Sequence, residues 1–131
     1  MSLFGKPPVI VVSVRSGAPP VPAGYTLVMV DRTTPLGNKN LPSRHPMPES
    51  ERDGLIRAYA VDLAADIASK GPMHREVEKL ARRVVGGEQI ALGCWCRPLR
   101  CHADVLQREI AARVRRYSVR GFDRQTSKEH P

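Results

Sequence analysis

Residues 90–106 read IALGCWCRPLRCHADVL, and this stretch decides the fold. The apolar run that ends at Cys94 has the length and composition of a buried strand. From His102 onwards, apolar residues recur at the spacing of an amphipathic helix, which we expect to end near Arg116. The three cysteines and the single tryptophan lie between Cys94 and Cys101. Because open α/β sheets bind ligands at the carboxyl ends of their strands, we expect the functional site at this junction.

The rest of the chain predicts an α/β fold. Two β-branched runs of strand length, residues 9–14 and 25–30, precede the quoted stretch. Apolar residues at helical spacing predict helices over residues 49–69 and 73–85, each of which ends close to a glycine. Together with the strand and helix of the quoted stretch, this order is typical of a small Rossmann-like sheet of about three to four strands flanked by three helices.

Length and charge restrict the class of protein. A chain of 131 residues fits a single domain, here residues 1–116, followed by a basic tail, residues 117–131, that we expect to be flexible. The formal net charge of +8 favours nucleic acid, nucleotides or other anions as partners, although a solvated basic tail accounts for part of it equally well. The sequence has no apolar stretch of membrane-spanning length and no signal-peptide pattern at its start, so we expect a cytoplasmic protein with no membrane partner.

Four residues of the junction are of the types that zinc prefers. They are Cys94, Cys96, Cys101 and His102. Their spacing, one C-x-C pair and one adjacent Cys-His pair, differs from the about two to four intervening residues of common zinc sites. A metal site is therefore the alternative interpretation, and it predicts a fold that depends on zinc.

The same junction suits a reactive thiol. At the start of a helix, Cys101 lies in the positive field of the N-terminus, and Arg97, Arg100 and His102 add positive charge, all of which favours the thiolate. A thiolate beside an imidazole is a nucleophile–base pair. Cys101 and His102 are thus the candidate catalytic residues, and Cys96 is a second candidate nucleophile.

Other interpretations of the junction remain open. Arg97 and Arg100, together with the helix N-terminus, equally suit a bound phosphate and are candidate ligand-binding residues. Asp104 is a further candidate ligand contact, although its place in the first helical turn favours capping of backbone amides. Cys94 and Cys96 are also compatible with packing alone, with Trp95 filling a gap, although this interpretation does not account for Arg97, Pro98 and Arg100.

A long loop, residues 31–48, follows the second strand directly. Loops of this length in compact domains are usually functional or disordered. Arg32, Gly37 and Asn38 are its candidate ligand-binding residues, because they offer a positive charge, close backbone approach and an amide. A tight turn accounts for the glycine and asparagine equally well. Since the loop follows a strand, we expect it to face the cysteine junction at the same edge of the sheet.

Two motifs resemble those of an uncharacterised domain family of phages and bacteria. The late motif, C-W/F-C-x-P-x-x-C-H-A/G-D-V-L, is complete at residues 94–106. The early motif, R-x-T/S-P-L-G-N-P, matches residues 32–38 and departs at Lys39, where the family usually has proline. The resemblance covers about residues 25–110, the scale of a small domain, and implies a Rossmann-like fold with its site between the motifs. A second uncharacterised α/β family is distantly similar and also opens a helix with Cys-His, which favours Cys101-His102 over a metal site.

Three functions are compatible with these residues. In the first, an enzyme or binding domain of phage or bacterial nucleic-acid metabolism holds a nucleotide, nucleoside or other anionic ligand. Its expected ligand contacts are Arg32, Asn38, Arg97, Arg100 and His102. In the second, a zinc-stabilised accessory protein binds nucleic acid, and in the third the basic surface binds a host protein or DNA. The sequence favours the first and identifies no reaction, cofactor or oligomeric state.

Overall fold

The computed structural model describes residues 7–40, 48–95 and 101–129, with residues 119–129 as backbone. These residues form a small Rossmann-like α/β fold, and the predicted order of elements is confirmed. The elements are β1 (Val9–Ser13), β2 (Tyr25–Met29), α1 (Glu49–Ser69), α2 (Pro72–Val85), β3 (Gln89–Cys94) and α3 (His102–Glu129).

The three strands form one parallel sheet in the order β1-β3-β2. β3 is central, since Ile90 is in register with Val9 of β1 on one side and with Thr26 of β2 on the other. Its residues from Ile90 to Cys94 are all buried, which accounts for the continuous apolar run in the sequence. Because the strands are parallel, their carboxyl ends lie along one edge of the sheet, here called the carboxyl edge.

The core lies between the sheet and the helices. β3 contributes Ile90, Leu92 and Cys94, which share one strand face at period-two spacing. The helices contribute large side chains that are almost completely buried: Tyr59, Leu63, Leu80, Leu106 and Ile110. α3 starts a few residues after β3 and contacts both β3 and β1. Its first turn therefore lies at the carboxyl edge.

α3 is longer than the sequence predicts. It continues to Glu129, so the expected end of the helix near Arg116 is wrong. Apolar spacing indicates only the part of a helix that faces a core. An established helix can continue beyond that part without an apolar face, because each added residue gains a hydrogen bond. Residues 117–129 contain no proline that would end the helix. Despite its length, α3 lacks the apolarity to cross a membrane, as does every other helix in the described ranges. Flexibility of residues 117–131 stays a prediction.

Candidate functional site at the carboxyl edge

The ends of all three strands meet at the carboxyl edge. Backbone pairing continues one residue past each outer strand, because the N–H groups of Val14 and Val30 donate to the carbonyls of Cys94 and Gly93 at 3.1 and 3.2 Å. The next residues of the chain are Arg15 after β1, Asp31 after β2 and Trp95 after β3. These side chains are therefore neighbours, although they are far apart in sequence.

Trp95 is exposed and held at two points. Its side chain and backbone together keep 53% of their surface accessible to water. The indole Nε1–H donates to Asp31 Oδ2 at 3.2 Å, and Arg15 Nε donates to the Trp95 carbonyl. The packing interpretation, in which Trp95 fills a gap, does not describe this residue, because Cys94 points into the core and the following residue points out of it.

Asp31 is an ionised carboxylate at the start of the long loop. Its Oδ1 accepts from the backbone N–H of Thr33 at 3.1 Å and from the Thr33 hydroxyl. The bond from the Thr33 hydroxyl, followed by the one from Trp95, lowers the pKa of Asp31 from its ordinary value. Asp31 thus presents a negative charge beside the exposed indole at neutral pH.

The loop after Asp31 folds back on itself. Arg32 Nε donates to the carbonyl of Asn38 at 3.1 Å. A Cβ at Gly37 would lie 2.3 Å from the Asp31 carbonyl oxygen, so the close approach that requires glycine is to the loop's own backbone. The turn interpretation accounts for these contacts, and ligand binding by Arg32 and Gly37 stays a prediction.

Asn38 fastens the loop to α1. Its Nδ2 donates to the carbonyl of Leu55 at 3.2 Å, and its Oδ1 accepts from the backbone and side-chain nitrogens of Asn40 at 3.0 and 2.9 Å. Asn40 Nδ2 also donates to Asp62 Oδ2 at 3.0 Å. The side-chain amide of Asn38 therefore holds the loop in place through hydrogen bonds within the chain. A contact between Asn38 and a ligand stays a prediction.

His102, the first residue of α3, contacts both the end of β2 and α1. Its Nε2 lies 2.5 Å from the carbonyl oxygen of Val30, and its ring is tilted against Tyr59 with 4.9 Å between centroids. Burial lowers the pKa of His102, so the ring is neutral at neutral pH. Because a carbonyl only accepts, the proton is on Nε2, and Nδ1 carries the basic lone pair.

Tyr59 joins this histidine to the loop. The Tyr59 hydroxyl donates to the carbonyl of Leu36 at 2.8 Å, and burial raises the pKa of that hydroxyl, which keeps it protonated. The same ring contacts His102. The structure therefore brings the loop and the start of α3 together through a residue of α1 that is far from both in sequence.

Cys101 and Asp104 cap α3. The backbone N–H of Cys101 donates to Asp104 Oδ2 at 3.1 Å, which is the capping contact that the sequence favours for Asp104. In return, the N–H of Ala103 donates to Cys101 Sγ at 3.4 Å, and the N–H of Asp104 donates to the Cys101 carbonyl at 3.0 Å. These amides are satisfied within the chain, so an anion at this edge would depend mainly on side-chain cations. A ligand contact by Asp104 stays a prediction.

The thiols of Cys94 and Cys101 are buried and adjacent. Their exposed fractions are 1% and 3%, and their Sγ atoms lie 3.1 Å apart. Within the described part of the chain, no three His, Cys, Asp or Glu residues are arranged to hold a metal ion. Cys96, Arg97 and Arg100 lie outside the described residues, so their predicted functions as nucleophile, metal ligand and ligand contacts remain predictions.

Comparison with known proteins gives one family match. The model of a family described as "Domain of unknown function (DUF4326)" matches residues 20–112. This span contains β2, both middle helices, β3 and the first part of α3. No curated protein and no solved structure matches the chain.

Proposed function

Since this chain belongs to the DUF4326 family, a domain of unknown function, we propose from the geometry of the carboxyl edge that it binds a nucleotide, a nucleoside or a related anionic ligand there. The observation that carries the proposal is the exposed indole of Trp95, a residue held at its ring N–H by Asp31 and at its backbone carbonyl by Arg15. The proposal concerns binding. It extends to a function in phage or bacterial nucleic-acid metabolism, because nucleotides and nucleosides are the ligands of that metabolism.

The exposed indole suits a planar ligand. Trp95 leaves 53% of its surface in water, although it lies next to a buried strand. Stacking of a nucleobase on an aromatic side chain contributes about 1–3 kcal/mol to binding. Because Asp31 and Arg15 already fix the residue at its indole N–H and its carbonyl, little conformational freedom remains to be lost when a base stacks on it.

The charges around Trp95 suit the polar parts of a nucleotide. Arg15 and Arg32 are both exposed, the first after β1 and the second in the loop after β2, the two strands that flank β3. A guanidinium group forms paired hydrogen bonds with phosphate. The ionised Asp31 offers a complementary acceptor for a hydroxyl or amino group of the ligand.

His102 adds a neutral acceptor to this edge. With Nε2–H bonded to Val30, its Nδ1 is left as the basic atom. Only 3% of Cys101 beside it is exposed, so the proposal is limited to binding, and a nucleophilic function of Cys101 stays a prediction from the sequence. Arg97 and Arg100 enter the proposal through the sequence motif alone.

Intrinsic fluorescence provides a direct test, because Trp95 is the only tryptophan. We expect its emission to change on titration with nucleoside monophosphates of the four common bases. Nucleosides without phosphate and inorganic phosphate, added separately, distinguish recognition of the base from recognition of the anion. A bound ligand at about 100 times its Kd also raises the unfolding free energy by about 2.7 kcal/mol, which thermal melting detects.

A matched pair of variants locates the ligand. Trp95→Ala should weaken binding measured by calorimetry by about 5- to 150-fold, the equivalent of one lost stacking contact. Val61→Ala removes a similarly exposed apolar side chain from α1 and should leave binding unchanged. The proposal is wrong if the folded protein responds to no nucleotide or nucleoside in either emission or melting temperature.

A further inference from the structure

Cys94 and Cys101 form the most closely paired reactive groups in the described part of the molecule. We propose that they are a redox modification site, a dithiol that a peroxide oxidises to a disulfide across the β3–α3 junction. This inference stands on the position of the two sulfur atoms. It does not depend on nucleotide binding at the carboxyl edge.

The geometry places the two sulfur atoms close to bonding distance. Cys94 is the last residue of β3 and Cys101 immediately precedes α3, and their Sγ atoms are 3.1 Å apart. A disulfide bond is about 2.05 Å long, so the sulfur atoms need to approach by only about 1 Å. Packing in a core needs no direct contact between thiols, whereas disulfide formation requires it.

The environment assigns different functions to the two thiols. Cys101 Sγ accepts a hydrogen bond from the N–H of Ala103 at the positive end of α3, which favours its thiolate. The burial of Cys101 and the carboxylate of Asp104 oppose this effect. Both thiols belong to the buried core, and of the two only Cys101 lies at a helix N-terminus. Cys101 is therefore the attacking thiol and Cys94 the resolving one.

The burial of both residues selects a small oxidant. Hydrogen peroxide is small enough to reach a thiol that larger disulfide reagents cannot. The Cys101 thiolate attacks one peroxide oxygen, the O–O bond breaks, and a sulfenic acid and one water form after proton transfer. The Cys94 sulfur then attacks the Cys101 sulfur, and the hydroxyl leaves as a second water. The dithiol loses two electrons and the peroxide gains them.

The experiment uses the full chain, reduced and freed of reductant, and treated with a slight excess of hydrogen peroxide. We expect the intact mass to decrease by two hydrogen atoms, as for one disulfide. A non-reducing peptide map should then join the peptides of Cys94 and Cys101. Dithiothreitol should restore the original mass.

Single serine variants identify the pair. Cys96→Ser should still lose two hydrogen atoms, whereas Cys94→Ser should gain oxygen at Cys101 instead. The proposal is overturned if Cys96→Ser forms no disulfide, or if the map of the unsubstituted protein joins Cys96 to either partner. The map needs no substitution, so it decides the question even where a variant fails to fold. Elemental analysis of the reduced protein adds a further arm, since a stoichiometric zinc ion that protects the thiols would overturn the proposal and favour the zinc interpretation.

Discussion

At the scale of single residues, His102 has its chemistry set by one hydrogen bond. Nε2 faces the carbonyl of Val30, so the tautomer is fixed and Nδ1 is left as the base. Burial lowers the pKa of His102, which means that the unfolded chain takes up this proton at a higher pH than the folded protein does. Protonation therefore favours unfolding.

The free energy of unfolding should fall as the pH is lowered through this interval. The loss begins near the ordinary histidine value of about 6.5 and continues down to the lowered pKa of the folded state, with a slope of at most about 1.4 kcal/mol per pH unit. His102→Gln keeps an N–H donor for Val30 and cannot be protonated, so its stability should vary less with pH. Urea unfolding of both proteins between about pH 5 and pH 8 measures the difference, and equal slopes would contradict the argument.

Two glycines provide a matched test of backbone crowding. A Cβ at Gly37 would lie 2.3 Å from the Asp31 carbonyl oxygen and 2.5 Å from Arg32 Cα, whereas a Cβ at Gly54 in α1 would meet nothing within 4 Å. Gly37→Ala should lower the unfolding free energy by about 1–3 kcal/mol, because backbone atoms must move. Gly54→Ala should raise it by about 0.5–1 kcal/mol through helix propensity. Chemical denaturation checks both signs, and a stable Gly37→Ala protein would show that the loop is less tightly folded.

The sequence motif contains His102 and Trp95, but not Tyr59 and Asp31, which contact them. Tyr59 and Asp31 belong to a helix and a loop that lie far from the motif along the chain, so only the fold shows their contacts. One feature of the sequence indicated that Asp31 lies at the edge of the sheet, namely its position directly after a predicted strand. The exposure of Trp95 does not follow from its apolar side chain, because its register after β3 places it outside the core.

At the scale of secondary-structure elements, Arg113 joins α2 to α3. It is 3% exposed, and its Nη1 and Nε atoms each lie 2.8 Å from a carboxylate, of Glu78 in α2 and Glu109 in α3. Its Nη2 also lies 3.2 Å from His74 Nδ1. The planar guanidinium thus serves three partners on two helices, and a lysine could not reproduce this fork.

Removal of this guanidinium should weaken the packing of α2 against α3. Arg113→Met leaves two partly buried carboxylates facing each other and should lower the unfolding free energy by about 2–4 kcal/mol. Arg83→Ala breaks an exposed ion pair with Glu88 and should cost much less, since solvent screens that pair. Thermal or urea unfolding compares them. Equal losses would show that Arg113 contributes no more than a surface charge.

Local patterns predicted which elements exist, and they failed on one boundary. Strand composition and helical spacing are properties of neighbouring residues, so β1, β2, β3, α1 and α2 could be predicted from the sequence alone. The end of α3 could not, because its later turns have no apolar face to mark them.

At the scale of the whole molecule, the candidate site results from topology. The order β1-β3-β2 brings Arg15, Asp31 and Trp95 to one edge, and no local pattern encodes that order. The Rossmann-like sheet was predicted from the order of strands and helices, whereas the location of a functional site at its carboxyl edge stays a prediction. The contacts of individual side chains depend on the register between strands, which only the folded chain fixes.

The central position of β3 also governs when the protein can take shape during its synthesis. β1 and β2 leave the ribosome first, yet in the described sheet both pair only with β3, which is the last strand to be made. A nascent chain that ends before Gln89 therefore has two unpaired strands and no sheet to join. The sheet can therefore form only after synthesis of the segment that also carries Cys94 and Trp95. The sheet and the carboxyl edge are completed in the same step.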